Sequence, residues 1–312
     1  MTRRPLLHDV ALRDGLQMEK RVVPTERKIA WASALLASGV DVVQLGSFVH
    51  PEKVPQMADS DRLFAHFSAP GAKPAGVTLS GLVLNERGLE RGLACGVELF
   101  CMGVSASETH SRKNAGMSIA DANRRILAIA KGALGAGRLA QVSVQSAFGC
   151  GYEGPVPKAR VVSIVQTFLD AGLRQLSLAD TAGHATPDDV SELFTRVREL
   201  DPGVEWSCHF HDTYGLALAN SFAARQAGVT CFESSVAGLG GCPFTKVAGG
   251  NTCSEDLVHA WQRNGVRADV RLDALVALAR ELSDFFEREL PGRVHRAGPI
   301  PELPVEATAG SR

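Results

Sequence analysis

Residues 203–216 read Gly203-Val204-Glu205-Trp206-Ser207-Cys208-His209-Phe210-His211-Asp212-Thr213-Tyr214-Gly215-Leu216, and in that order they describe one β–α unit. The stretch 204–210 is apolar enough to be a buried strand. A turn through Thr213, Tyr214 and Gly215 follows, and helix-period residues run over 216–227. Side chains alternate faces along a strand, so His209 and His211 aim into one space where the strand ends. Alone, the pair fits two readings. It could hold a divalent metal, or one imidazole could be a hydrogen-bonded core group and the other exposed.

The same rhythm recurs through the chain. Strands are predicted at 6–12, 40–45, 76–82, 97–104, 139–146, 175–178, 204–210 and 230–236. Between and after them, helices are predicted at 25–38, 60–67, 86–94, from Ser118, at 158–171, 186–200, 216–227 and 254–264. Thr25 reads as a helix cap with Gly39 just past the end, and Ser118 with Asp121 reads as a capping box. Thr186-Pro187-Asp188-Asp189 places a cap, a first-turn proline and two dipole-favoured acids at one helix start. Eight β–α units spaced by roughly 25–45 residues predict parallel strands joined by crossover helices, closed as a (β/α)8 TIM barrel. A doubly wound sheet is disfavoured because no G-x-G-x-x-G follows the first strand. An extra helix is expected at 272–290, so that 1–290 form the barrel domain and 291–312 a loosely ordered tail rich in Pro, Gly and Ala.

Bulk properties narrow the classes further. The 312 residues carry 33 basic and 34 acidic side chains, a balance that argues against nucleic-acid or acidic-membrane binding. No apolar run approaches the ~18 residues of a membrane span, and the first residues do not read as a signal peptide. Seven cysteines without a C-x-x-C pair fit a reducing, cytoplasmic setting.

Active sites of such barrels lie at the C-terminal ends of the strands. Those ends collect Arg13-Asp14-Gly15-Leu16-Gln17, then Gln44 and Ser47, Ser146, Ser177 and Asp180, the two histidines, and Gly238-Leu239-Gly240-Gly241-Cys242 with Asn251 beyond. Each has a bland alternative. Arg13-Asp14 could be a rim ion pair, Cys242 an incidental thiol, Asn251 a turn residue and Asp180 a turn cap. Gathered at one rim, they make a mixed nitrogen and oxygen site suited to Mg²⁺, Mn²⁺ or Zn²⁺.

Arg13-Asp14-Gly15-Leu16-Gln17, Ser47-Phe48-Val49-His50-Pro51, His209-Phe210-His211-Asp212-Thr213-Tyr214-Gly215 and Ser234-Ser235-Val236-Ala237-Gly238-Leu239-Gly240-Gly241-Cys242-Pro243 together resemble the 3-hydroxy-3-methylglutaryl-CoA lyase family. The resemblance implies a divalent metal held by Asp14, His209, His211 and Asn251. It implies a catalytic set of Arg13, Asp14, His209 and Cys242, with Arg13 at the enolate oxygen and Cys242 on a closing loop. It implies substrate contacts from Gln17, Gln44, Ser177 and Asp180, with Lys20 and Asn85 toward the CoA end. The implied reaction cleaves an acyl-CoA to acetyl-CoA and a keto acid (acetoacetate for the family's usual substrate, as in leucine degradation and ketone-body formation), and the implied assembly is a homodimer.

One position departs from the family pattern. Gln44 stands where the family usually has a glutamate, which exchanges an acceptor-only group for a donor and acceptor. With Gly46 beside it and Phe148 in place of a smaller aliphatic residue, it suggests a reshaped pocket and a different 3-hydroxyacyl-CoA. A Claisen-type condensing enzyme is the second enzyme reading, against which the Cys242 loop speaks. A catalytically silent metal-binding barrel is the third, and the retained Arg13, Asp14 and Cys242 oppose it.

Overall fold

A computed structural model of the chain describes residues 4–241 and 249–301. Eight parallel strands close on themselves in sequence order. They are β1 (Leu6–Asp9), β2 (Val42–Ser47), β3 (Thr78–Leu82), β4 (Leu99–Ser105), β5 (Leu139–Gln145), β6 (Gln175–Asp180), β7 (Glu205–Phe210) and β8 (Cys231–Ser234). The seam is a parallel ladder in which His8 of β1 lies opposite Glu233 of β8. The helices are α1 (Thr25–Ala37), α2 (Ser60–Phe67), α3 (Glu86–Cys95), α4 (Glu108–Ala115), α5 (Ile119–Gly135), α6 (Lys158–Asp170), α7 (Pro187–Leu200), α8 (Ala217–Gln226), α9 (Ser254–Gln262), α10 (Leu272–Phe286) and α11 (Val294–Ala297).

The main core lies between strands and helices. On α5, Ala122, Ile126, Ile129, Ala130 and Ala133 are buried, a three- and four-residue spacing that turns one stripe inward. The caps at Ser118 and Thr186 form as expected, each hydroxyl accepting an amide three residues on. Thr25 does not cap α1; Pro24 occupies that position without a side-chain bond.

The barrel interior is different. Val42, Leu99 and Cys101 make a small apolar cluster of their own. Beside it, polar side chains bond between strands that are not neighbours in the sheet, which only the interior allows. His8 on β1 meets Ser80 on β3 at 2.8 Å, and Gln141 on β5 meets Glu233 on β8 at 2.6 Å. An interior built this way depends on every polar atom finding a partner.

Four further expectations change. The first strand ends at Asp9 and not at Leu12. The Asp9 carboxylate accepts the Ala11 amide at 2.9 Å, and the chain winds into a π-helical turn over Ala11–Gly15. A further helix, α4, precedes Ser118. The tail expected to be loose from residue 291 is packed through residue 298: α11 buries Val294 and His295, and the Arg293 and Val294 amides donate to Asp256. Phe148 and Gly46 belong to packing behind the barrel. The Phe148 ring lies 6.0 Å from Phe210 and 6.3 Å from Phe194, while a Cβ on Gly46 would run into Ser60 of α2.

Candidate metal centre and active site

The π-helical turn after β1 brings Arg13 and Asp14 back over the barrel mouth: Val10 O accepts Asp14 N at 2.8 Å and, one residue further on, Gly15 N at 3.3 Å, the five-residue closure that marks the turn. Asp9 anchors this turn to the end of β8. Besides Ala11 N, it accepts Val236 N at 3.0 Å and Ser254 Oγ at 2.6 Å. From β7 come His209 and, just past it, His211. An isolated bridge pairs His211 with Asn251, and Asp212 N donates to Gly250 O at 2.7 Å, so the backbone itself sets Asn251 beside the second imidazole.

One ligand atom each from Asp14, His209 and His211 lies within 4.8 Å of the others. The two Nε2 atoms face one another at 3.2 Å, and His209 Nε2 is 3.9 Å from Asp14 Oδ2. Asn251 donates to Asp14 Oδ2 at 3.0 Å and to Leu239 O at 2.9 Å. Its Oδ1 is buried and, among the described residues, has no hydrogen-bond partner. A buried amide oxygen without a donor costs free energy unless something cationic or protic meets it. Together with one carboxylate and two imidazoles, that oxygen makes a donor set that fits a divalent cation.

The electrostatics agree. Burial pushes the Asp14 carboxyl up, but Arg13 beside it, with His209 and His211, holds it well below the usual carboxylate range. Burial lowers His211 to about 4, helped by the charge of His209. Both groups therefore present lone pairs near neutral pH.

Arg13 is positioned from two sides. Its Nε donates to Gln44 Oε1 and its Nη1 to Asp14 Oδ1. Gln44 is buried, and its amide also lies beside the Cys101 thiol, which burial pushes up to about 12. Gln17 Nε2 donates to Asp14 Oδ1 at 3.2 Å. Ser177 is buried with a hydroxyl that has no partner among the described residues. Lys20 is exposed on the loop that follows the π-helical turn.

Two of the expected substrate contacts carry structural bonds of their own. Asp180 accepts His184 N at 2.8 Å and Ala185 N at 2.9 Å, so both carboxylate oxygens pin the loop after β6. Asn85 caps α3, its Oδ1 accepting Gly88 N at 2.8 Å. Cys242 lies outside the described residues. The chain leading to it is described as far as Gly241, and it passes in close contact with Asn251. A Cβ on Gly240 (φ +118) would strike the Asn251 amide, and one on Gly250 would strike Gly238 O. Glycine is required at 250 because two backbones touch, and at 240 because φ is positive and the Asn251 side chain lies against it.

Two residues escaped sequence reasoning. Glu233 on β8 accepts His209 Nδ1 at 3.0 Å, and Gln141 on β5 supports it. The only available signal was an acid and an amide at central, inward positions of strands, where apolar residues are the rule.

His8, also inward, supplies a test of the buried network. Burial lowers its pKa to about 4 against an ordinary 6.5, so the fold favours the neutral ring and loses that advantage as pH falls through 6.5 toward 4. Asp9, pushed up to about 6 by burial, titrates in the opposite sense, so a difference between variants is the clean measure. The unfolding free-energy gap between wild type and His8→Leu should move by about 2 kcal/mol against wild type between pH 7 and pH 5. A gap constant over that range would contradict a buried neutral His8.

Together the fold and these side chains define a barrel with a candidate metal-binding cluster at its mouth. The HMGL-like family model matches residues 4–282, and the chain belongs to that family. It is 34% identical over 287 residues to hydroxymethylglutaryl-CoA lyase of Bacillus subtilis, covering 92% of this chain and 95% of that protein. It is 37% identical over 302 residues to (R)-citramalyl-CoA lyase of Chloroflexus aurantiacus, covering 94% of each. An HMG-CoA lyase from Acinetobacter baumannii, solved in complex with coenzyme A and 3-methylmalate, superposes with a TM-score of 0.89 at 32% identity. That match covers 96% of this chain and 97% of the other.

Proposed function

We propose that the chain is a divalent-metal-dependent carbon–carbon lyase that splits a 3-hydroxy-3-methylglutaryl-CoA-like thioester into acetyl-CoA and an oxo acid. The meeting of Asp14, His209, His211 and Asn251 with the Arg13 guanidinium at one barrel mouth carries this reading. Relatives named as lyases of two different thioesters support the reaction type more than any single acyl group.

In this reaction the C2–C3 bond breaks and the C3 hydroxyl loses its proton as C3 becomes a carbonyl. The electron pair moves onto the thioester as an enolate, which takes a proton at C2 to give acetyl-CoA. Asp14, His209, His211 and Asn251 would hold the ion, with Mg²⁺ or Mn²⁺ the best match to the donor set. When bound, a divalent ion supplies Lewis acidity that lowers the pKa of a hydroxyl beside it. Arg13 spends Nε on Gln44 and Nη1 on Asp14, which aims the rest of its fork at the oxygen that gains charge. Gln17 steadies Asp14, and the Ser177 hydroxyl offers a polar contact to the acyl group. Cys242 would be the thiol that protonates the enolate, a step to which a thiol is chemically suited.

The test is a panel of thioesters, namely 3-hydroxy-3-methylglutaryl-CoA, longer 3-substituted homologues and citramalyl-CoA, incubated with Mg²⁺, Mn²⁺ or Zn²⁺ while acetyl-CoA release is followed. No release from any of them would sink the lyase reading. Gln44 gives the panel a second use. Gln44→Glu adds a buried negative charge against Arg13 and should shift preference toward hydroxymethylglutaryl-CoA by about tenfold, or ~1.4 kcal/mol. An unchanged ranking would clear Gln44 of any role in acyl selection.

A further inference from the structure

Ser207, Gln141, Glu233 and His209 form a directional chain of hydrogen bonds through the barrel interior. The Ser207 hydroxyl donates to Gln141 Oε1 at 3.2 Å. An amide whose oxygen is so occupied turns its nitrogen the other way, and Gln141 Nε2 donates to Glu233 Oε1 at 2.6 Å. The carboxylate can only accept. Its second oxygen takes His209 Nδ1 at 3.0 Å. That bond fixes a proton on Nδ1, so in the neutral ring the lone pair falls on Nε2, the atom that faces Asp14 and His211. All four side chains are buried, and they come from β5, β7 and β8, so the barrel wall itself fixes their order.

From this geometry we infer that Glu233 is the positioning residue of the metal centre. It locks His209 in the tautomer that can ligate, and Gln141 and Ser207 keep the lock pointing one way. The inference rests on the metal reading of the cluster. It adds a cause for the cluster's affinity that lies below the ligands and touches neither substrate nor ion. A carboxylate accepts from two donors at once, whereas an amide at position 233 must turn its NH₂ toward either Gln141 or His209. Facing His209, it would force the proton onto Nε2; facing Gln141, it would set donor against donor.

The experiment titrates the purified full-length chain with Mn²⁺, read by electron paramagnetic resonance, and follows the histidine tautomer by ¹⁵N NMR. E233Q should weaken Mn²⁺ binding about 10- to 100-fold, as loss of a partner that orients a ligand does elsewhere, with unfolding midpoint shifts too small to account for it. The double swap Q141E/E233Q reverses donor and acceptor at the Gln141 contact and frees the amide oxygen for His209 Nδ1, so it should recover most of the affinity. Should E233Q fail to fold, Gln141→Leu removes the second donor and should weaken Mn²⁺ binding several-fold. Unchanged affinity and an unchanged His209 tautomer in the folded variants would overturn the positioning role. Absence of Mn²⁺ binding by the wild-type chain would overturn the metal reading beneath it.

Discussion

His209→Ala is expected to lose metal and turnover together, while Cys242→Ala loses turnover and keeps the metal. His209 supplies one of two imidazoles to a four-donor cluster, and its removal leaves the Glu233 carboxylate buried without its principal partner. That carboxyl is brought down to about 2 against the opposing effect of burial, mainly by the hydrogen bond and charge of His209. Two effects should then appear at once. Mn²⁺ affinity should fall by at least about 10³-fold, more than the 10- to 100-fold cost of losing a residue that only orients a ligand. Stability should fall by about 1–3 kcal/mol, the cost of a buried group left unsatisfied. Calorimetric titration and urea unfolding measure the two separately. A His209→Ala protein that binds Mn²⁺ as well as wild type would remove the imidazole from the site.

Arg13→Met carries the second large effect, and the split runs the other way. The guanidinium is tied to Gln44 and Asp14, so it is held in place before any substrate arrives. Preorganised charge of this kind acts where negative charge develops, and loss of one such donor costs about 10²–10³-fold in kcat. Metal affinity should change little by comparison, because Arg13 touches Asp14 and is not itself a ligand. Arg13→Lys should recover only part of the loss, since an ammonium lacks the fork that serves Gln44 and Asp14 together. Steady-state kinetics with saturating Mn²⁺ decides the matter. A kcat within a few-fold of wild type for Arg13→Met would exclude a role at the developing enolate.

The fold was legible because its signals are repetitive. Eight apolar strand segments alternate with helix-period segments, some with cap signals, and errors at individual ends do not disturb that count. What escaped was structure written in tertiary contacts. The π-helical turn begins where Asp9 captures an amide two residues on and another from beyond β8, and nothing local in Val10-Ala11-Leu12 marks a strand end there. The helix α4, Glu-Thr-His-Ser-Arg-Lys-Asn-Ala, has no apolar stripe and buries only His110 and Ser111. Strand alternation and the rim rule gathered Asp14, His209, His211 and Asn251 with other polar residues, and the family resemblance singled them out as a set. Glu233 was not, because a carboxylate in mid-strand acquires meaning only once β8 is seen beside β7. Asp180 and Asn85 show the converse ambiguity. Both stand at the rim, where function is expected, and both are occupied with loop and helix ends.

The packed segment after α10 ties chain synthesis to the assembly of the site. Gly292 N donates to Ala237 O at 3.0 Å, and His295 Nδ1 meets Glu255, whose other oxygen accepts Ala237 N at 2.9 Å. Ala237, held at φ +62, is where the path toward Cys242 turns. Residues made after all eight strands thus brace the turn that passes over ligands contributed by the first. A nascent chain can close its barrel earlier, but it cannot brace that turn until the segment around His295 has emerged. The brace on that turn is therefore completed late in synthesis.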